Sequence, residues 1–392
     1  MDQKYDVIII GAGPAGTITA KVCAENGLKV LVLEKRPEIG APKRCAECLG
    51  HDDLLRLGYT GKERFVTQRI TSSYVFSPDG TSIEIRGPTS AYILERKVFD
   101  KFLAYAAAKA GAKIYTKAEV FDLIRSDGMI SGVRVIYNGE QKDIHARIIV
   151  SAEGIESKIT RLAGLPTRNT LKTVSSGYQY EMAGIDLKDP DKIQVYMGND
   201  IAPLGYLWIF PKGDHIANVG IGITRDSGKT AKYYLDRWID SRPEIKKGSI
   251  IEENSGGIPI GGLLESMTTD NFLAIGDAAH QVHPLHGGGL IESSFAAVIA
   301  AKVITGAIKS NDASNKALDA YNRQWWKERG VKLETGEKIV KILERFTDAD
   351  FNLIAKSMKG EDFFDIFEGK PHKLIKILLK NPRLATLVKY IK

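Results

Sequence analysis

Cysteine is scarce in this chain of 392 residues, which contains only Cys23, Cys45 and Cys48. An odd and low count argues against a disulfide framework and favours reduced thiols, as in the cytosol. Long hydrophobic runs are missing too, because the longest, at residues 295–308, contains Lys302 and is shorter than a bilayer-spanning helix requires. The first residues lack the pattern of a secretory leader. We therefore expect a cytoplasmic protein without a transmembrane segment.

Basic residues exceed acidic ones and are concentrated at the end of the chain. The net charge is +7, and the segment from Lys370 to Lys392 holds seven Lys or Arg, no acid, and interleaved Leu, Ile and Val. This basic amphipathic tail predicts either a helix that docks on the body through its apolar stripe or a peripheral contact with an anionic membrane surface, such as the inner face of the cell membrane. No recognition motif accompanies the charge, so we expect no nucleic-acid partner.

The chain opens with a predicted βαβ unit that carries a glycine fingerprint. The apolar run Tyr5–Ile10 precedes Gly11-x-Gly13-x-x-Gly16, and a helix of small residues follows. In such a unit Gly11 makes the tight turn, Gly13 lets the backbone approach a pyrophosphate, and Gly16 allows close packing of helix on strand. Glu34 ends the second strand, where a carboxylate accepts hydrogen bonds from the ribose hydroxyls of the cofactor. The unit predicts FAD or NAD, which share an ADP moiety.

A second motif distinguishes between these cofactors. A buried strand ends in GDAAH, with Asp277 at the second position, and Gly288, Gly289 and Leu290 then open a long apolar helix. This segment resembles the second FAD fingerprint of the aromatic hydroxylase and geranylgeranyl reductase superfamily, in which the Asp meets the ribityl chain. The helix N-terminus also suits the negative charge of a reduced flavin. The two motifs together predict FAD.

The remaining patterns complete an α/β fold. Residues 94–110 and 291–308 predict helices, and residues 28–33, 148–151 and 271–275 predict buried strands. Residues 112–115 and 133–137 predict two more strands, and residues 194–197 and 206–210 alternate as in an antiparallel sheet. We predict a Rossmann-like FAD-binding domain (1–54, 91–165 and 265–310), an interleaved antiparallel-sheet substrate domain (55–90 and 166–264), and a helical C-terminal region with the basic tail (311–392).

Two further segments narrow the resemblance. Tyr206-x-Trp208-x-Phe210-Pro-Lys-Gly resembles the substrate-domain signature of archaeal geranylgeranyl reductases, and Pro-x-Arg-Cys45-Ala-Glu-Cys48 resembles their cysteine loop. The resemblance covers most of residues 1–310. It implies an FAD-dependent reductase that saturates the isoprenoid chains of membrane ether lipids, in which hydride from reduced flavin reaches one alkene carbon and a proton reaches the other. It also implies flavin contacts at Ala15, Cys45, Ala46, Cys48, Arg96 and Val120.

The residues themselves leave several roles open. Alternation places Tyr206, Trp208 and Phe210 on one strand face, as an aromatic wall for a polyprenyl chain or as ordinary core. The Cys45–Cys48 pair can be half a zinc site, a redox dithiol or a loop pair; we predict no metal site, since a four-cysteine site is impossible. The proton donor is Cys45, Tyr206 or a water held near His283 or His286. At residues 151–154, Glu153 stands where the superfamily has Asp, which puts that hydrogen-bonding role in doubt.

The electron donor and the reaction class also have alternatives. No second glycine fingerprint follows a strand, so either transiently bound NAD(P)H or a reduced ferredoxin can serve as donor. A flavin-dependent monooxygenase acting on a small aromatic or isoprenoid substrate is the competing enzyme. A non-redox protein that binds isoprenoids on the same scaffold is the remaining alternative.

Overall fold

The computed structural model describes residues 1–87, 91–224 and 228–390. The strands in chain order are β1 (Lys4–Ile10), β2 (Val30–Leu33), β3 (Cys48–Gly50), β4 (Val66–Ile70), β5 (Ser72–Phe76), β6 (Ser82–Ile85), β7 (Ala91–Leu94), β8 (Lys113–Tyr115), β9 (Ala118–Ser126), β10 (Met129–Tyr137), β11 (Glu140–Ser151), β12 (Val174–Ala183), β13 (Lys192–Met197), β14 (Tyr206–Gly213), β15 (Ile216–Ile223), β16 (Ser249–Pro259), β17 (Thr268–Thr269) and β18 (Phe272–Ala274). The helices are α1 (Pro14–Glu25), α2 (His51–Arg56), α3 (Arg96–Lys109), α4 (Lys158–Leu162), α5 (Ala231–Asp240), α6 (Pro243–Lys246), α7 (Leu290–Lys309), α8 (Asn315–Trp325), α9 (Val331–Leu343), α10 (Asp348–Ser357), α11 (Gly360–Phe367), α12 (His372–Lys380) and α13 (Pro382–Ala385).

The first sheet is the predicted Rossmann-like layer, with strand order β17-β18-β11-β1-β2-β8 and the β9–β10 hairpin attached to β11. Strand β1 pairs in parallel with β2 and β11, and β11 pairs in parallel with β18. Four consecutive residues of β1, from Val7 to Ile10, are buried, as expected for a central parallel strand covered on both faces. The carboxyl ends of β1, β2 and β18 therefore meet at one edge, which is where ligands bind in such sheets.

The second sheet has the order β16-β12-β15-β14-β13-β5-β6. It is antiparallel, as predicted, except that β5 and β13 pair in parallel. A third, small sheet has the order β3-β7-β4. Because β3 follows the cysteine loop and β7 leads into α3, this sheet fixes both segments beside the larger ones.

Several predicted element boundaries are wrong: the strands expected from residues 133 and 148 begin earlier, at Met129 and Glu140, and two other elements begin two residues later than expected. The helix expected from residue 94 begins at Arg96, because Leu94 still pairs in β7 and the Glu95 side chain caps the helix by accepting a hydrogen bond from the backbone N–H of Lys97 (3.3 Å). The strand expected from residue 28 begins at Val30. Both errors arise because an apolar run does not show where strand pairing stops and capping begins.

The C-terminal helices pack together around an apolar cluster. In α12 the buried residues are Leu374, Ile377 and Leu378, which pack in one cluster with residues of α9 such as Ile342. The docking alternative for the basic tail is therefore present in the structure; Lys392 lies outside the described residues. Among the described residues, α7 alone is long and apolar enough to cross a membrane by length and composition, but 67% of its apolar window is buried inside the protein.

Candidate active site

The glycine fingerprint forms a turn between β1 and α1 in which each glycine has a different environment. Gly11 has a φ of 102°, and a Cβ there would lie 2.3 Å from the carbonyl oxygen of Ala152. A Cβ on Gly16 would lie 2.0 Å from the carbonyl oxygen of Gly11, so Gly16 is required for packing. A Cβ on Gly13 would meet no atom within 4 Å, because Gly13 faces a cavity. The turn thus leaves a space beside its backbone for a ligand.

Glu34 connects this turn to the end of β2. Its carboxylate accepts hydrogen bonds from the backbone N–H groups of Ala12 and Arg36, both at 2.9 Å. Glu34 also lines the cavity, so the same carboxylate that fixes the turn faces the space predicted for a ribose. The ribose contact itself stays a prediction.

A cavity of about 1250 Å³ runs from the glycine turn to the second sheet. It brings together nearly all the site residues predicted from the sequence: Gly11, Gly13, Ala15, Glu34, Cys45, Ala46, Cys48, Arg96, Val120, Tyr206, Trp208, Phe210, Asp277, Gly288, Gly289 and Leu290. Gly16 is the exception, because it lies beneath the turn. Residues as far apart in sequence as Gly11 and Leu290 therefore share one space.

Asp277 and Arg96 give the cavity its charged groups at the flavin fingerprint. No described residue donates a hydrogen bond to the Asp277 carboxylate, and burial raises its pKa to about 6 although the nearby Arg96 opposes that shift. The Arg96 guanidinium donates to Asp100 at 2.7 and 2.9 Å. Burial lowers the Arg96 pKa, but Asp100 and Cys45 outweigh it and raise the pKa above its ordinary value. A desolvated acceptor without a donor fits a ligand that supplies hydroxyl groups.

The aromatic residues of β14 line the cavity from the second sheet. The ring centroids of Tyr206 and Trp208 are 5.7 Å apart, and those of Trp208 and Phe210 are 6.4 Å apart. The Tyr206 hydroxyl donates a hydrogen bond to the carbonyl oxygen of His286 (2.7 Å), and burial raises the Tyr206 pKa above its ordinary value. The Trp208 indole N–H donates to the side-chain oxygen of Gln179 (2.9 Å). The wall is therefore apolar in surface, with its polar atoms turned to protein partners.

Comparison with known proteins identifies the family. The geranylgeranyl reductase catalytic domain family matches residues 173–258, the FAD dependent oxidoreductase family matches residues 6–199, and the lycopene cyclase protein family matches residues 229–376. A relative from Methanocella arvoryzae, named digeranylgeranylglycerophospholipid reductase, is 37% identical over 98% of each chain. The chain belongs to the digeranylgeranylglycerophospholipid reductase family. It is an FAD-dependent oxidoreductase, as the sequence predicted.

Solved structures agree with this assignment. A geranylgeranyl bacteriochlorophyll reductase-like protein from Thermoplasma acidophilum is 31% identical, with a TM-score of 0.90 and complete coverage of both chains. A flavin-dependent brominase is 18% identical, with a TM-score of 0.75, and so shares the fold. The fold extends to flavoproteins with other chemistries, and the reductase family is distinguished within it by sequence.

The cysteine loop of this family member lies against the cavity with free thiols at Cys45 and Cys48. Burial, with a smaller contribution from Cys45, raises the pKa of the Cys48 thiol to about 12, so Cys48 stays protonated. The Cys45 sulfur accepts a hydrogen bond from the backbone N–H of Glu47 (3.2 Å). No group of three or more potential metal ligands occurs among residues 1–87, 91–224 and 228–390.

His283 and His286 form a stacked pair on the loop between the flavin fingerprint and α7. Their ring centroids are 3.9 Å apart with an interplanar angle of 13°, and the His283 Nε2 atom lies 3.2 Å from the carbonyl oxygen of Phe367 in α11. Burial lowers the pKa of His283 to about 2 and that of His286 to about 4. Both rings are therefore uncharged at neutral pH.

Some functional features were not predicted from the sequence. The C-terminal helices supply a second apolar wall of the same cavity, formed by residues such as Phe346, Phe351, Ile354, Met358 and Phe363. The amphipathic pattern predicts helices in this region, but it does not predict which part of the protein their apolar faces contact. The high frequency of Phe in these helices was the available signal that they line a cavity. The Glu153 side chain, left in doubt by the sequence, accepts from the backbone N–H of Thr160 (2.8 Å) and so fixes the start of α4.

Proposed function

We propose that this protein reduces the isoprenoid double bonds of geranylgeranyl ether lipids, with a digeranylgeranylglycerophospholipid as substrate. The observation that carries the proposal is the single cavity in which the flavin fingerprints lie opposite the aromatic strand β14 and the apolar C-terminal wall. A long polyprenyl chain offers no polar group along its length, so shape and apolar contact must supply its binding. The family name of the relatives supports the same substrate class.

FAD would be held by the glycine turn, by Asp277 and by the N-terminus of α7. When bound in its reduced form, it supplies the hydride for one alkene carbon. The chain supplies orientation and exclusion of water, because an unactivated alkene has no carbonyl that a residue could polarise. The Tyr206, Trp208 and Phe210 wall aligns the chain against the cofactor side of the cavity.

The proton for the other alkene carbon must come from a group that lines the cavity. The Tyr206 proton is engaged with the carbonyl of His286, and the imidazoles of His283 and His286 are uncharged at neutral pH. Cys45 is half-buried and lines the cavity, and its proton is not engaged in any hydrogen bond to a described acceptor. We therefore propose Cys45 as the proton donor, with Tyr206 as a group that orients the substrate.

The test uses geranylgeranyl lipid and chemically reduced enzyme without oxygen. Mass spectrometry of the product should show added hydrogens with the wild type and fewer with Cys45→Ala, whereas Cys48→Ala should be milder. FAD content should stay near wild type in both variants. Consumption of oxygen in step with product, without saturation of the chain, would favour a monooxygenase instead. Equal products from wild type and Cys45→Ala would remove Cys45 from the chemistry.

The physiological donor and the location of the enzyme form part of the same proposal. We propose NAD(P)H or a reduced ferredoxin as donor; the net charge of +7 suits an acidic redox protein. Stopped-flow reduction of the bound flavin with each donor distinguishes them. We also propose that the protein is cytoplasmic and contacts the inner face of the membrane through its basic tail, where its lipid substrate resides.

A further inference from the structure

Four acidic and basic side chains, two from the cysteine loop and two from the second sheet, contact one another and are almost completely shielded from solvent. We call Lys43, Glu47, Glu181 and Lys212 the buried ion cluster. The side chains of Lys43 and Glu47 are 0% exposed, that of Lys212 is 4% exposed and that of Glu181 is 13% exposed. Charged residues are rarely buried unless they are paired, and burying them in pairs seldom stabilises a fold more than apolar packing would. Stability of the fold therefore does not explain why these charged side chains are buried.

Glu47 is the member with the most partners. Its Oε2 atom contacts Lys212 at 2.9 Å and Lys43 at 3.2 Å, and it accepts from the Asn218 side chain at 2.7 Å. Its Oε1 atom accepts from the backbone N–H of Arg96 at 2.7 Å. One carboxylate thus joins the cysteine loop, the start of α3 and two strands of the second sheet.

The backbone of Glu47 makes a further link to the site. Its N–H donates to the Cys45 sulfur at 3.2 Å, and its carbonyl accepts from the N–H of Leu94 at 2.8 Å. Glu47 has a φ of 78°, in the left-handed region that non-glycine residues rarely adopt. Such a conformation persists where the surroundings over-determine it, as the four partners of the carboxylate do here.

We propose that Glu47 is the positioning residue of this site, fixing Cys45 and Arg96 relative to each other and to the substrate-binding sheet. Cys45 and Arg96 face the cavity from different segments, and Glu47 is bonded to both. The effect of Glu47 on catalysis rests on the proposed function, in which Cys45 supplies the proton. The effect of Glu47 on the positions of Cys45 and Arg96 does not depend on that function. Glu47 acts through these two residues and through the loop rather than on the substrate.

Glu181 provides a matched control within the same cluster. It contacts both Lys43 and Lys212, the latter at 2.9 Å, and lies in β12. Among the described residues it makes no hydrogen bond to Cys45 or to Arg96, and it does not line the cavity. Glu181→Gln therefore perturbs the cluster through Lys43 and Lys212 without a direct bond to Cys45 or Arg96. Glu47→Gln keeps the shape of the side chain but changes the carboxylate that contacts both lysines and the start of α3.

The first experiment measures alkylation of Cys45 by iodoacetamide in the FAD-loaded protein, with peptide mass spectrometry to separate the three cysteines. Buried Cys23 serves as the internal reference. We expect Cys45 to be alkylated about tenfold faster in Glu47→Gln than in wild type, because loss of one charge-assisted hydrogen bond changes the free energy by an amount of this order. In Glu181→Gln we expect the wild-type rate. Equal rates in the two variants would overturn the proposal and leave a purely structural cluster.

The second experiment measures steady-state reduction of geranylgeranyl lipid. Glu47→Gln should lower kcat about tenfold or more with little change in KM, because misplacing the donor affects the reaction more than binding of the chain. An equal decrease of kcat in Glu181→Gln would contradict the proposal that Glu47 is the positioning residue. If the wild type reduces no isoprenoid chain, the proposed function fails while the alkylation result still decides the role of Glu47. If Glu47→Gln does not fold, Asn218→Ala, which removes one donor to Glu47, replaces it in both experiments.

Discussion

Replacing Asp277 by Asn should stabilise the flavin-free protein at neutral pH. Burial raises the pKa of Asp277 from 3.8 to about 6. Between these pH values the folded chain binds more protons at this site than the unfolded chain, so the free energy of unfolding falls as the pH rises and the penalty is complete above about pH 6. A shift of roughly two units corresponds to about 3 kcal/mol, and solvent in the open cavity reduces this to about 1–3 kcal/mol. Asparagine carries no such penalty.

The assay is urea unfolding of flavin-free wild type and Asp277→Asn between pH 4 and pH 8. The stability difference should be small at pH 4 and should grow by about 1–3 kcal/mol in favour of the variant by pH 7. Asp79→Asn is a suitable control, because a hydrogen bond from Lys356 lowers the pKa of Asp79, so this variant should be less stable than wild type by an amount that changes little between pH 4 and pH 8. The variant should also hold FAD less tightly than wild type. A stability difference that does not depend on pH would refute the reasoning that Asp277 is a desolvated acceptor awaiting its ligand.

Three other predictions follow from the same structure. Gly13→Val should lose FAD but keep its fold, because an added Cβ meets no atom within 4 Å; absorbance and circular dichroism check this, and a variant that keeps its flavin would contradict it. His286→Phe should lose less stability than wild type as the pH falls from 6.5 towards 4, because burial holds the His286 pKa at about 4 and protonation then costs about 3 kcal/mol. Acid titration monitored by circular dichroism measures this difference, and parallel unfolding curves would contradict the prediction. Lys376→Glu with Lys380→Glu, on the exposed face of α12, should weaken salt-sensitive binding to anionic liposomes by about 1 kcal/mol per residue at the surface; unchanged sedimentation would leave α12 as a docking helix only.

The fold, and the cavity edge at which we propose that FAD binds, could be predicted because their determinants are local in sequence. Gly16 is required by a close contact with Gly11 inside one strand-turn-helix unit, the positive φ of Gly11 belongs to the same turn, and Asp277 follows shortly after a buried strand. The alternation that predicted an aromatic wall at Tyr206 and Trp208 needs only the two-residue period of a strand. Each of these features can be inferred from fewer than ten consecutive residues.

The rest depends on contacts between distant segments. Lys43, Glu47, Glu181 and Lys212 look like ordinary surface charges in the sequence, and only tertiary packing buries them together. The apolar faces of α9 to α11 have the period of any amphipathic helix, so their position on the cavity could not be inferred. Hydrophobic periodicity indicates that a face is buried, but it does not indicate against what.

The arrangement of the first sheet has a consequence for biosynthesis. Strand β18 completes the parallel part of the first sheet, beside the proposed FAD site, by pairing with residues 149–151 of β11. The whole of β12 to β16 is translated between these two strands. One edge of β11 therefore stays unpaired until β18 has been translated, and an open strand edge invites association with other chains. Capture of the flavin is accordingly a late event in synthesis, and chains interrupted before residue 272 should be colourless and prone to aggregate.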